Sequence, residues 1–121
     1  MKKKILVVDD DQSILEVLKI ILEEAGFMVE TSGNSTAVWS WTKRAPDLIL
    51  LDVLLGEEDG AEICKRLKGK KETRDIPVIL FSAHSSGKRV IKECGADCFV
   101  SKPFDIDELV GIVRKTLENK V

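Results

Sequence analysis

The chain has 121 residues, of which 44% are hydrophobic and 33% are charged, so it can form one domain with a sizeable core and is not expected to be disordered. Nineteen basic against 21 acidic residues give a net charge of −2, which argues against a protein that binds nucleic acid mainly through phosphate contacts. No apolar run approaches the roughly 18 residues of a membrane span. We expect residues 1–121 to be a single cytoplasmic domain.

The first half of the chain alternates aliphatic runs with helical patterns. Ile5–Val8 is a continuous aliphatic run ended by three aspartates, too short for the core of a signal peptide. Apolar residues then recur at helical spacing as far as Gly26, a glycine typical of a helix C-terminus. The pattern next predicts a strand at Phe27–Thr31 and a helix from Ala37 up to Pro46.

The second half continues this alternation and ends in a helix. Asp105, with Glu108 three residues later, forms a capping box at the start of that last helix. Gly111 inside it costs on the order of 1 kcal/mol relative to alanine, so tertiary packing must stabilise the helix. Before it, the predicted elements are a strand at Leu48–Leu51, a helix through Glu62–Leu67, a strand at Val78–Phe81, a short helix at Lys88–Cys94 and a strand at Cys98–Val100.

Strands that are apolar throughout, each followed by a helix, indicate a parallel sheet covered by helices on both faces. Short right-handed crossovers then favour a doubly wound α/β fold. Ligands bind at the carboxyl ends of the strands in such folds. The residues that follow each strand are therefore the candidates for function.

Charged and hydroxyl side chains follow four of the five predicted strands. They are Asp9 and Asp10 after the first strand, Asp52 after the third, Ser82 after the fourth and Lys102 shortly after the fifth. Aspartates after the first strand would repel phosphate, and no glycine-rich phosphate-binding motif occurs. Clustered carboxylates also repel one another unless a hard cation binds them. The pattern therefore predicts Mg²⁺, which lets a phosphoryl group approach a carboxylate.

Four short motifs, ILVVDDD, LILLD, FSA and SKPF, stand at these strand ends, and Gly60 follows Asp52 in VLLGEEDG. In this pattern the chain resembles the receiver domain of two-component response regulators, over essentially all 121 residues. The resemblance implies a flavodoxin-like fold. Its five parallel strands would have the order 2-1-3-4-5, with helices on both faces.

The resemblance also implies a role for each residue of the acidic cluster. Asp52 would be the phosphoacceptor. Asp10, Asp52 and the backbone carbonyl of Leu54 would bind Mg²⁺ directly, while Asp9 would act mainly through a metal-bound water.

Three residues would act on the phosphoryl group or respond to it. By the same resemblance, Ser82 and Lys102 would each contact a phosphoryl oxygen. Ser82 would move inward after phosphorylation, and Phe99 would fill the space that it leaves, so these two residues form the switch. A cis peptide bond before Pro103 would aim Lys102.

A receiver of this kind works with partner proteins. The resemblance implies that the donor is a phosphohistidine of a sensor histidine kinase or a histidine phosphotransfer protein. The surface of the fourth helix, fifth strand and fifth helix would then control a downstream target protein or output domain. The domain would catalyse its own phosphorylation and dephosphorylation only, without direct nucleic-acid binding or membrane insertion. A homodimer stays open, and so does the choice between a single-domain regulator and a receiver excised before an output domain.

The chain departs from the family pattern in three places. Ser82 replaces the more frequent threonine, Gly56 stands where a proline is common, and the segment between Ala83 and Gly95, which includes His84, is shorter than usual. Leu54 offers no polar side chain to orient water, so we expect slow dephosphorylation.

Two other functions are weighed against a phosphorylated receiver. A metal-dependent phosphohydrolase should carry a second carboxylate two residues after the nucleophile, where Leu54 stands. A phosphorylation-independent interaction module usually lacks one of the acidic residues or the lysine, and none is lost here. Asp11 is expected only to cap the first helix.

The cysteines and tryptophans are expected to be structural. Cys64, Cys94 and Cys98 cannot all pair, and only one histidine is present, so we interpret them as small hydrophobic residues in a reducing compartment. Trp41 is predicted to lie in the core, and Trp39, about 200° away around the helix, to face outward.

Overall fold

The computed structural model describes residues 2–41, 44–82 and 94–118 of the chain. Aliphatic runs form its central strands, and amphipathic segments form its helices. The strands are β1 (Lys4–Val8), β2 (Met28–Ser32), β3 (Leu48–Asp52), β4 (Leu54–Leu55), β5 (Glu58–Asp59), β6 (Val78–Ser82) and β7 (Cys98–Ser101). The helices are α1 (Gln12–Glu24), α2 (Thr36–Trp39), α3 (Gly60–Lys68) and α4 (Ile106–Glu118).

Five strands form one parallel sheet in the order β2-β1-β3-β6-β7. Numbered among themselves, these strands have the order 2-1-3-4-5, so the fold predicted from the sequence is confirmed. The remaining two, β4 and β5, form a short antiparallel hairpin directly after β3, in which Leu54 pairs with Asp59 and Leu55 with Glu58. This hairpin was not predicted from the sequence.

The sheet buries both of its faces, which explains why its central strands are aliphatic throughout. Every residue of β1, β3 and β6 is buried. Successive side chains point to opposite faces, so Leu6 and Val8 join one core cluster while Ile5 and Val7 join the other. None of the helices in the described ranges has the length and apolar character needed to cross a bilayer.

Helix α1 has both of the end signals that were read from the sequence. Asp11 is its N-cap, and its carboxylate accepts hydrogen bonds from the amides of Ser13 and Ile14 at 2.9 and 3.4 Å. After the helix, Gly26 adopts φ +101°, and its amide donates to the carbonyl of Glu23. The predicted capping role of Asp11 is confirmed.

Replacing this cap should weaken the fold without touching the acidic cluster. Asp11→Ala is expected to lower the free energy of unfolding by about 1 kcal/mol, because the first amides of α1 lose their acceptor. Urea unfolding measures the change, with Gln12→Ala on the exposed first residue of α1 as the control. A cap of this kind has no role in binding metal, so loss of Mg²⁺ binding in Asp11→Ala would contradict this assignment.

Helix α4 starts as the capping box predicts, since the Asp105 carboxylate accepts a hydrogen bond from the Glu108 amide at 3.0 Å. Its buried residues are Leu109 and Val113, which pack in the core cluster beside α1. Gly111 lies on the exposed side of the helix. Packing of the apolar stripe thus offsets the glycine, as expected.

The region around α2 differs from the prediction. The helix ends at Trp39 instead of continuing towards Pro46, because Ser40 leaves the helical region with φ −148° and ψ 79°. The helical-wheel argument for the tryptophans therefore fails. Trp39 is half-buried against a core cluster, with the guanidinium of Arg66 5.2 Å from its ring centroid, and Trp41 is half-buried rather than buried.

The cysteines are free, with Cys64 and Cys94 buried and Cys98 half-buried, as predicted for small hydrophobic residues. Burial raises the pKa of the Cys64 thiol, so this side chain stays neutral. The predicted helix at Lys88–Cys94, the short segment after Ala83 and His84 lie almost entirely outside the described residues, which resume at Cys94.

Candidate functional site

Three carboxylates come together where two neighbouring strands end. Asp9 follows β1 and Asp52 ends β3, and these strands pair in parallel with Val8 opposite Leu51. Asp10 is next in the chain, and one carboxylate oxygen of each aspartate lies within 4.8 Å of those of the other two. Asp9 and Asp52 are buried, whereas Asp10 is exposed. Oxygen donors in this arrangement can hold a hard divalent cation.

Lys102 reaches this acidic cluster from the edge strand. Its Nζ lies 3.1 Å from Oδ2 of Asp9 and 3.2 Å from Oδ2 of Asp52, and 4.7 Å from the ring centroid of Phe81. The peptide bond between Lys102 and Pro103 is cis, as the resemblance implies. Within the described ranges, one ammonium thus contacts two of the three carboxylates, and the formal charges of the cluster leave two negative charges uncompensated.

Burial and charge act in opposite directions on Asp9 and Lys102. Burial raises the pKa of Asp9 and the charge of Asp52 adds to the rise, although hydrogen bonds from the Asp11 amide and from Lys102 oppose it. Burial lowers the pKa of Lys102, but its hydrogen bond to Asp9 and the two carboxylate charges more than offset this, and the pKa is raised. Lys102 therefore remains a cation at neutral pH.

Asp10 is tied to the hairpin of β4 and β5. Its Oδ2 accepts a hydrogen bond of 2.9 Å from the amide of Gly56. Gly56 opens the two-residue loop between the strands with φ +56°, a backbone conformation that favours glycine. In the sequence, Gly56 stood out only as a departure from the proline that is common at this position. A glycine at the first position of a two-residue loop is typical of a type II′ turn and could have revealed the hairpin.

The start of α3 packs directly against the backbone after Asp52. The Gly60 amide donates to the carbonyl of Val53 at 2.6 Å, and the Asp59 carboxylate caps the helix through the amide of Ala61. A Cβ at Gly60 would overlap the carbonyl oxygen of Asp52 and lie 2.9 Å from the Cα of Val53. Helix α3 therefore fixes the path of the chain that follows Asp52.

The remaining predicted residues lie at different distances from Asp52. Ser82 is buried at the end of β6, the strand that pairs with β3. The amide of Leu54 donates to Oδ1 of Asp52 at 3.2 Å, and the Leu54 side chain is 52% exposed. Phe99 lies on the edge strand β7 opposite Leu80 and packs, half-buried, against a core cluster. The structure thus places Ser82 and Leu54 beside Asp52, and Phe99 further along the sheet.

Known proteins are similar to this chain in sequence and in fold. Residues 5–114 match the response regulator receiver domain. The DNA-binding dual master transcriptional regulator RpaA of Synechocystis is 37% identical, covering 94% of this chain and 48% of RpaA. The phosphate regulon transcriptional regulatory protein PhoB of Escherichia coli is 38% identical, covering 97% of this chain and 52% of PhoB. The signal receiver domain of a histidine kinase from Syntrophus aciditrophicus has a TM-score of 0.84 and 41% identity, covering 96% of this chain and 90% of that one.

The two curated relatives are longer than the region that they share with this chain. The chain spans 48% of RpaA and 52% of PhoB. The similarity therefore concerns the part that matches, and the DNA binding named for RpaA is a property of that protein.

Proposed function

Because this chain belongs to the response regulator receiver family, we propose that Asp52 accepts a phosphoryl group in a Mg²⁺-dependent reaction. The double ion pair of Lys102 with Asp9 and Asp52, beside the third carboxylate, carries this proposal. Phosphoryl transfer depends mainly on positioning and on cations that offset the charge of the transferred oxygens. The cluster supplies a carboxylate nucleophile with a cation already in contact.

The acidic cluster fits Mg²⁺, because its donors are carboxylate oxygens and its two uncompensated charges match one divalent cation. We assign Asp10, Asp52 and the backbone carbonyl of Leu54 as direct ligands. We assign Asp9, whose Oδ1 accepts from the Asp11 amide and whose Oδ2 accepts from Lys102, the indirect role through a metal-bound water that the resemblance implies. When bound, Mg²⁺ would offset negative charge on the phosphoryl oxygens.

The chain's own residues then divide the chemistry among them. An oxygen of Asp52 forms a bond to phosphorus while the phosphorus–nitrogen bond of a phosphohistidine breaks, and the electron pair stays on the imidazole nitrogen. Lys102 contacts Asp52 before the transfer. It then contacts a phosphoryl oxygen as well, where its charge offsets the new negative charge. Ser82, buried at the end of the adjacent strand, donates a hydrogen bond from its hydroxyl to another phosphoryl oxygen. The product is an acyl phosphate on Asp52.

Phosphorylation would change the conformation at the β6–β7 edge of the sheet. We infer that the Ser82 hydroxyl moves towards the phosphoryl group and that Phe99 fills the space it leaves, so that an active conformation already present becomes the major one. Phe99 lies on β7, next to the strand that carries Ser82. The surface formed by β7, α4 and the helix predicted at Lys88–Cys94, which lies almost entirely outside the described residues, would then engage a downstream target protein or output domain.

The partners follow from the same proposal. A sensor histidine kinase or a histidine phosphotransfer protein supplies the phosphoryl group in the cytoplasm, and residues 1–121 act as one receiver domain. Its catalysis is limited to its own phosphorylation and dephosphorylation. We assign it no direct contact with nucleic acid and no insertion into a membrane.

Leu54 should make the phosphorylated state long-lived. Its side chain is 52% exposed beside Asp52 and has no polar group to orient an attacking water. Leu54→Asn is expected to hydrolyse the acyl phosphate about fivefold faster, the effect of one hydrogen bond worth about 1 kcal/mol in the transition state. Loss of phosphoryl mass over time measures the rate, with Leu54→Met as the apolar control. An unchanged or longer lifetime in Leu54→Asn would contradict this role.

Intact-mass analysis after incubation with acetyl phosphate or a phosphoramidate tests the proposal. Wild type should gain one phosphoryl mass with Mg²⁺ and none after the metal is chelated. Asp52→Asn should gain none under either condition, while Asp47→Asn, on a carboxylate outside the cluster, should behave as wild type. A folded wild type that gains no mass with any donor would instead support a phosphorylation-independent interaction module.

A further inference from the structure

We propose that the backbone amide of Gly56 positions Asp10 for the cation, and that this hydrogen bond raises the affinity of the chain for Mg²⁺. The inference rests on the proposed function and assigns a role to the loop of the β4–β5 hairpin. The contact joins the Gly56 amide and Oδ2 of Asp10 at 2.9 Å, although the two residues are 46 positions apart in the chain.

The three carboxylates differ in how they are held. Asp9 is buried and both of its oxygens are engaged, by the Asp11 amide and by Lys102. Asp52 is buried and likewise accepts at both oxygens, from the Leu54 amide and from Lys102. Asp10 is exposed, and across the described residues the Gly56 amide is its one hydrogen-bond donor. An exposed carboxylate without this bond would rotate freely.

The hairpin that carries the Gly56 amide is held in place on both sides of its loop. Leu55, next to Gly56, is buried in a core cluster, and its backbone pairs with Glu58 across the hairpin. At the end of the hairpin, Gly60 packs directly against the backbone of Asp52. The hairpin is therefore fixed to the same strand that carries Asp52, and its amide sets the position of Asp10 relative to Asp52.

Orientation of this kind affects metal binding through entropy. The amide engages one oxygen of Asp10 and leaves the other for a cation, so less freedom is lost when the metal binds. Hydrogen-bond partners of metal ligands commonly change metal affinity by about 10-fold to 100-fold. A proline, which is common at this position in the family, has no amide hydrogen and could not supply the bond.

Two substitutions at Gly56 separate the hydrogen bond from the turn. Gly56→Pro removes the donor, whereas Gly56→Ala keeps it, and the added Cβ would lie 3.9 Å from Oδ2 of Asp10, an ordinary contact. Alanine can keep a φ of +56° at some cost, whereas proline fixes φ at about −65°, so the unfolding free energy of each variant is measured beside its affinity. Isothermal titration with MgCl₂, without any phosphodonor, gives the affinity of each folded variant. We expect Gly56→Pro to bind about tenfold more weakly than Gly56→Ala.

Amide hydrogen exchange of Gly56 in wild type gives a second measurement that needs no folded proline variant. Exchange should be slow without metal, remain slow at saturating Mg²⁺, and become fast in Asp10→Ala. Equal Mg²⁺ affinity in the two Gly56 variants, or an exchange rate that rises when Mg²⁺ binds, would overturn the inference. If wild type binds no Mg²⁺ while Gly56 exchange still responds to Asp10→Ala, the proposed Mg²⁺-dependent function fails and the hydrogen bond is only structural.

Discussion

Lys102→Met is expected to slow phosphoryl transfer to Asp52 by about 100-fold to 1,000-fold, the effect of removing one preorganised charge-stabilising group from a reaction site. The Lys102 ammonium already contacts Asp9 and Asp52 at 3.1 and 3.2 Å. It therefore needs only a short movement to contact the phosphoryl oxygens as charge moves onto them. Methionine keeps most of the length of the side chain and removes the charge.

The same substitution should change stability and metal binding in opposite directions. Asp9 and Asp52 are both buried and would lose their shared cation, so the metal-free protein should lose about 3 kcal/mol of unfolding free energy. Mg²⁺ should then bind more tightly than in wild type, because the cluster carries one more negative charge, and should restore part of the stability. Urea unfolding with and without Mg²⁺ measures both effects.

Lys68→Met is the matched control, because the side chains of Lys68 and Lys102 are both 19% exposed and each forms an ion pair with an aspartate. Lys68 bonds to Asp97 and to the carbonyl of Ile76, away from the acidic cluster. This variant should lose stability and keep the phosphorylation rate of wild type. Equal slowing in both lysine variants would show that the loss reflects a weakened fold and would refute the proposed role of Lys102.

Gly60→Ala should destabilise the protein by about 3 kcal/mol, the upper range for forcing a methyl group into a packed backbone contact. Its Cβ would overlap the carbonyl oxygen of Asp52 and come within 2.9 Å of the Cα of Val53. Neither neighbour is a flexible side chain that could move away. Relief requires α3 to shift from β3, so the chain after Asp52 should move and phosphorylation should slow as well.

Gly111→Ala tests the same change where there is room for it. Gly111 lies on the exposed side of α4, and a Cβ there would meet nothing within 4 Å. Alanine should therefore stabilise the helix by about 1 kcal/mol. Denaturant midpoints compare the two variants, which should move in opposite directions. A Gly60→Ala protein as stable as wild type would mean that α3 is not held against Asp52 as the structure indicates.

The parts of the fold that were predictable are those in which one physical requirement dominates. Burial on both faces leaves only aliphatic residues in runs such as Ile5–Val8 and Leu48–Leu51, so the sequence marks the central strands directly. The carboxyl ends of parallel strands meet at one edge of the sheet, so the sequence alone predicts that Asp9 and Asp52 lie near each other. Asp11 was predictable because helix caps depend on a few neighbouring residues.

The predictions were wrong or incomplete where the neighbouring sequence does not determine the local structure. The β4–β5 hairpin has two residues in each strand, too few to show an alternating pattern, and Gly56 was its only local signal. Helix α2 ends at Trp39, where Ser40 leaves the helical region, and Trp39 packs against a core cluster with the guanidinium of Arg66 over its ring. The hydrogen bond between Gly56 and Asp10 joins residues 46 positions apart, which spacing could not reveal.

The ion pair between Asp9 and Lys102 spans 93 positions of the chain. During synthesis on the ribosome, the three aspartates emerge long before the lysine that joins two of them. Until β7 has docked on the sheet, Lys102 cannot offset the repulsion among the carboxylates of Asp9, Asp10 and Asp52. Under the proposed function, a truncated or half-folded copy without a docked Lys102 would therefore be phosphorylated much more slowly than the complete domain.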